Sequence, residues 1–237
     1  MKKVFVLSIL CLALLATMPA FAGNVTIGLP PDPGSGNCFP WGCGYGSGGT
    51  AEYQQVYTSS AFGTGPILIN DIEFFNTQFN SGTTQMNTGT WTISLSTTTA
   101  DWNTLSSNFA SNIGANNTQV FSGNLSQSWA FGDTLTINLS TPFLYNPSDG
   151  NLLMDVMANA QDPNGAIYFD VNSSNSVMGR VYCPSGIACS SGVVANGYGL
   201  VTGFSYGQAT TPEPGTLVMF GTGVLGLAGL LRRKFFV

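Results

Sequence analysis

An all-β, antiparallel sandwich is the fold class this sequence predicts, and three observations predict it. Between residues 52 and 206, short runs rich in Val, Ile, Thr and aromatic residues recur, several alternating apolar and polar. Gly, Asn, Ser and Pro fill the gaps. Only one stretch reads as a helix, so nine or ten strands have to bury their apolar faces on each other, and a jelly-roll arrangement is the expected variant.

Taken in order, residues 53–57 (Tyr-Gln-Gln-Val-Tyr) form the first expected strand. Residues 66–75 alternate, placing Ile67, Ile69, Asp71, Glu73 and Phe75 on one side and Leu68, Asn70, Ile72 and Phe74 on the other. Residues 90–96 put Trp91, Ile93 and Leu95 on one face. Asp101 is placed to cap a short helix over 103–113, with Leu105, Phe109 and Ile113 inward. Further strands are expected at 118–122, 134–139, 151–157, 166–171, 177–182 and 198–206. The Gly/Pro-rich residues 23–51 read as an irregular arm ahead of a sandwich over 52–210.

The two ends have a different character. Lys2 and Lys3 precede an apolar run that ends at Ala20-Phe21-Ala22, a small-x-small site, so residues 1–22 read as a secretory signal peptide for signal peptidase. Near the other end, residues 215–231 carry no charge, and Arg232, Arg233 and Lys234 follow at once. That is the length and the basic flank of a transmembrane helix with its positive end in the cytoplasm. Gly221, Gly223 and Gly226 fit G-x-G-x-x-G, but no acidic residue follows, so a dinucleotide site is excluded.

Thr211-Pro212-Glu213-Pro214-Gly215, an apolar span and then Arg232-Arg233-Lys234 together resemble the PEP-CTERM sorting signal of exported Gram-negative proteins. The resemblance covers residues 211–237. It implies recognition of Pro212, Glu213 and Pro214 by an exosortase-like enzyme, membrane retention through the C-terminal helix until cleavage, and delivery to the envelope or extracellular matrix. The strands from residue 52 to 206 are also similar to the β-rich ectodomains of other such proteins, for which no activity carries over.

Setting the ends aside leaves about 190 residues, enough for one domain with a core. They hold one basic residue, Arg180, against ten acids, a net charge of −9, and no His. Nucleic-acid binding is excluded, because phosphate neutralisation needs several cations. So are Ser-His-Asp or Cys-His catalysis and His-ligated zinc. Arg180 itself is expected to pair with an acid inside the fold.

Cys38, Cys43, Cys183 and Cys189 lie outside the signal peptide in an oxidising compartment, so two disulfides are expected. The short loops favour Cys38–Cys43 and Cys183–Cys189. Cross-linking of the two loops, or a four-thiolate zinc site, would use the same residues.

Three chemistries remain. Asp71 with Glu73, and Asp155 and Asp170 within apolar strands, are the carboxylates from which a glycosidase dyad could be drawn. Asp162, Asn164, Asp170 and Asn172 offer oxygens to a structural calcium ion, although no EF-hand pattern is present. Trp41, Tyr45, Trp102 and Trp129 sit in or near loops, where an aromatic ring stacks on sugar. No catalytic set emerges and no cofactor is implied. The expectation is a non-enzymatic surface or matrix protein with exopolysaccharide as partner; the alternatives are a carboxylate-dependent carbohydrate-active enzyme and a calcium-stabilised lectin-like module.

Overall fold

The structure, a computed structural model, describes residues 22–42, 50–80, 84–85, 88–125, 127–162, 167–184, 189–208 and 222–223. Its strands are β1 (Ala22–Ile27), β2 (Thr50–Tyr57), β3 (Ile67–Phe75), β4 (Thr84–Gln85), β5 (Thr88–Thr98), β6 (Thr118–Gly123), β7 (Ser128–Trp129), β8 (Thr134–Tyr145), β9 (Asn151–Asp162), β10 (Val171–Asn172), β11 (Met178–Tyr182), β12 (Val193–Ala195), β13 (Gly199–Leu200) and β14 (Thr202–Gln208). A four-stranded sheet, β1-β14-β3-β8, faces a six-stranded sheet, β12-β11-β2-β9-β5-β6, and all pairings within them are antiparallel. β10-β13 and β4-β7 form two small ribbons. The two main sheets make the predicted sandwich, with four and six strands where a jelly roll carries eight in all.

Alternation drives the packing. Trp91, Ile93 and Leu95 of β5, Leu152, Met154 and Val156 of β9, and Tyr53 and Tyr57 of β2 join the core from the six-stranded sheet. Ile67, Ile69, Ile72 and Phe74 of β3 and Phe204 of β14 meet them from the other. Trp41 closes one end, its ring 5.1 Å from those of both Phe74 and Trp91.

Three expectations need correction. On β3, strict alternation placed Ile72 and Phe74 opposite Ile67 and Ile69. All four are buried in the core, because the register against both β8 and β14 shifts at Asn70. One extra residue there reverses the phase of everything after it. The arm at 23–51 is not irregular throughout: Ala22–Ile27 forms the edge strand β1, paired with β14 from Ala22↔Gly207 to Ile27↔Thr202. Its signal was diluted by the Gly and Pro that follow.

The helix over 103–113 is absent; the segment makes turns and one 3-10 turn at Phe109–Ser111. Asp101 therefore caps no helix and opens a turn, its Oδ1 accepting from the Trp102 N–H at 2.7 Å and its carbonyl from the Thr104 N–H at 3.0 Å. Beyond it, Asn112 Oδ1 accepts from Ser106 N–H, Ser106 Oγ from Asn108 N–H, and Asn108 Oδ1 from Ala110 N–H. Ser and Asn side chains thus take the donors that a helix would use. The segment lies on the outer face of the six-stranded sheet, where Leu105 packs on Val56 and Leu153, and Phe109 packs on Val181 and Cys183.

Among the described residues no helix is long and apolar enough to cross a membrane. The expected signal peptide, ahead of Ala22, and the expected span at 215–231, apart from Thr222 and Gly223, lie outside them. So do Cys43, Tyr45, Asn164, Pro212, Glu213, Pro214, Arg232, Arg233 and Lys234.

Candidate functional site

The sequence-predicted acids are dispersed. Asp71 and Glu73 lie on the outward side of β3, half-buried, and Gly203 of the neighbouring β14 lies beneath the Glu73 carboxylate. Asp170 is buried, and its function in the fold is plain: Oδ1 accepts from Thr77 N–H at 2.7 Å and Gln78 N–H at 3.0 Å, and Oδ2 from the Thr77 hydroxyl at 2.6 Å. Asn172 donates to the carbonyls of Gly28 and Pro30 and accepts from Ser174 N–H. Both residues tie loops to the sheet. The Asp162 backbone pairs with Thr88 at the end of β9, while its side chain lies outside the described residues. Among the described residues no three of His, Cys, Asp and Glu gather as a metal site. Cys183–Cys189 is a disulfide, with Cα atoms 5.7 Å apart.

The acids that do meet are Glu52 and Asp155. β2 pairs with β9 so that Gln54 opposes Asp155 and Glu52 opposes Met157, which makes the two carboxyls diagonal neighbours on the outer face. Gln54 Nε2 lies 3.4 Å from Glu52 Oε1, between the two acids. Burial, then the neighbouring Asp155 carboxylate, push Glu52 up to about 7. Burial likewise raises Asp155, which is only 8 % exposed and whose Oδ1 has no hydrogen-bond partner. Gln54 connects the pair to the covering segment: its Nε2 donates to the Phe109 carbonyl and its Oε1 accepts from Asn112. One hundred and three positions separate Glu52 from Asp155; Asp155 stands out in an apolar run, whereas nothing around Glu52 announces its partner.

Arg180 makes no ion pair among the described residues, contrary to the expectation. It points into the sandwich, 5 % exposed, with its guanidinium 4.0 Å from the ring centre of Tyr198 and 4.6 Å from that of Tyr182. Aromatic faces here hold the charge in place of a carboxylate.

The loop aromatics divide. Trp41 and Trp129 are core residues with no exposed surface, which removes both as sugar platforms. Trp102 is partly exposed and lines an open cleft of about 400 Å³ with Ser173, Ser174, Asn175, Ser176, Asn196 and Gly197. Two glycines make this placement possible. A Cβ on Gly179 would stand 2.1 Å from the Trp102 carbonyl oxygen, so only glycine lets the turn after Asp101 lie against β11. Gly197 has φ +65°, a left-handed conformation that glycine adopts without strain. Asn175 fixes the floor: its backbone and side-chain N–H groups donate to the Gly197 carbonyl, and its Oδ1 accepts from Val177 and Met178 N–H. Ser173, Ser174, Ser176 and Asn196 project into solvent around this floor. The sequence marks Trp102; it gives no sign that residues 173–176 and 196–197 come to meet it.

A sandwich with one buried arginine, a disulfide and an uncharged cleft defines a β-rich domain built for an oxidising, extracytoplasmic setting. Beyond it, residues 210–234 match the model of the PEP-CTERM protein-sorting motif, so the chain carries that motif and is an exported, envelope-sorted protein processed by an exosortase. No curated protein matches the chain.

Proposed function

We propose that this is a non-enzymatic component of the cell surface or extracellular matrix that engages exopolysaccharide. One observation carries the reading: the open cleft at Trp102 combines an aromatic ring with hydroxyls and amides but holds no carboxylate, histidine or cation. It has groups that bind and none that transfers a proton. Glu52 and Asp155 are neighbours on a sheet face and neither lines that cleft, whereas glycoside hydrolysis needs two carboxyls that flank a bound sugar.

Affinity electrophoresis of the intact exported protein in gels containing the producing cell's exopolysaccharide tests this. Retarded migration without release of reducing ends is the expected result. Release of reducing ends that disappears in Glu52→Gln would overturn it in favour of a carbohydrate-active enzyme, the reading that the raised Glu52 carboxyl favours.

A further inference from the structure

We infer that the cleft beside Trp102 is the binding site, and that its ligand is a neutral saccharide, one or two rings of an uncharged hexose polymer. This deepens the function proposed above and rests on it. The volume of about 400 Å³ lies at the small end of the range for ligand clefts, about 300–1,000 Å³. A pyranose ring offers one apolar C–H face and a rim of hydroxyls, and an indole beside serines and an asparagine matches both. The hydroxyls of Ser173, Ser174 and Ser176 donate and accept, as sugar hydroxyls require.

Charge selects within this class. The lining has no charged side chain. Two acids stand beside it: Asp32 Oδ2 accepts from Ser173 N–H at 2.9 Å, and Asp101 Oδ1 accepts from Trp102 N–H at 2.7 Å. The domain's one cation, Arg180, is buried between Tyr182 and Tyr198 and is not among the lining residues. A uronic or sulfated polymer would meet a negative field with no counter-charge, whereas a neutral polymer meets none.

Trp102 also provides the measurement. The other three tryptophans, Trp41, Trp91 and Trp129, have no exposed surface, so a water-soluble quencher reads Trp102. Acrylamide quenching of the intact exported protein is followed with maltoheptaose, cellohexaose and mannohexaose, and with oligogalacturonate as the charged probe. At least one neutral oligomer protects the fluorescence, oligogalacturonate does not, and protection is lost in Ser174→Asp and Ser176→Asp, exposed positions whose change leaves the melting temperature in place. Protection by oligogalacturonate overturns the neutral class. A protein retarded by polysaccharide but unprotected by every oligomer, or protected equally in the Ser174→Asp and Ser176→Asp variants, overturns the cleft while leaving the broader function standing. A protein neither retarded nor protected overturns both.

Discussion

The two faces of β2 treat polar side chains in opposite ways. On the inner face Gln55 is fully buried and fully used: its Oε1 accepts from Leu200 N–H at 2.8 Å and from the Tyr53 hydroxyl, and its Nε2 donates to the Leu200 carbonyl at 2.9 Å. Tyr57 donates to Thr202 nearby. On the outer face, one residue earlier, Gln54 links a covering loop to two neighbouring carboxyls whose charges repel. Both sets are polar and both lie largely out of water. The difference is in their partners: complementary donors and acceptors make a buried amide part of the sheet, while two like groups leave a site whose stability depends on pH.

The largest break in this comparison is on the inner face. Gln55→Ala takes the acceptor from the Leu200 N–H and the Tyr53 hydroxyl, while Thr202 still donates to the Leu200 carbonyl, and costs about 3 kcal/mol, since each buried unsatisfied group costs about 1–3; urea melts of the variant and wild type measure it. Next comes the cover. Cys183 packs with Phe109 and Val181 on the outer face, so Cys183→Ser with Cys189→Ser loosens it, with a loss of about 2 kcal/mol in the same melts. Smallest in size and most specific in sign is the carboxyl pair. Both folded-state values are raised, so the folded chain holds protons that the unfolded chain releases. Stability from this pair is fully present below the unfolded carboxyl range, around 4, and is lost as pH rises towards about 7, the raised Glu52 value. Glu52→Gln flattens that slope and raises the melting temperature at pH 8; an unchanged slope would show that Glu52 is not raised.

How much was legible in the sequence follows from the range of each interaction. Alternation is local, and it located β5 and β8 and the inward set Trp91, Ile93 and Leu95. It failed at β3 because a single unpaired residue, Asn70, reverses the phase, and a bulge is visible only against the neighbouring strands. The helix expected after Asp101 failed because its Ser and Asn side chains compete for backbone donors, a contest that their spacing alone does not decide. The Glu52–Asp155 contact and the convergence of Trp102 with residues 173–176 and 196–197 are set by strand order, which no local pattern encodes. Composition worked differently: a single arginine among ten acids marked Arg180 as unusual, although tyrosines and not a carboxylate receive it.

The pairing of Ala22 with Gly207 has a mechanical meaning. The edge strand β1 and the strand β14 that precedes the sorting motif run side by side, so Ala22 and Gly207 lie at one corner of the sandwich. The motif begins at residue 210, just beyond Gln208. From that corner β14 reaches back about 20 Å to Thr202, towards the end of the sandwich that Trp41 plugs. A pull on the sorting motif would therefore enter the domain at the corner that Ala22 and Gly207 share, one length of β14 from Thr202.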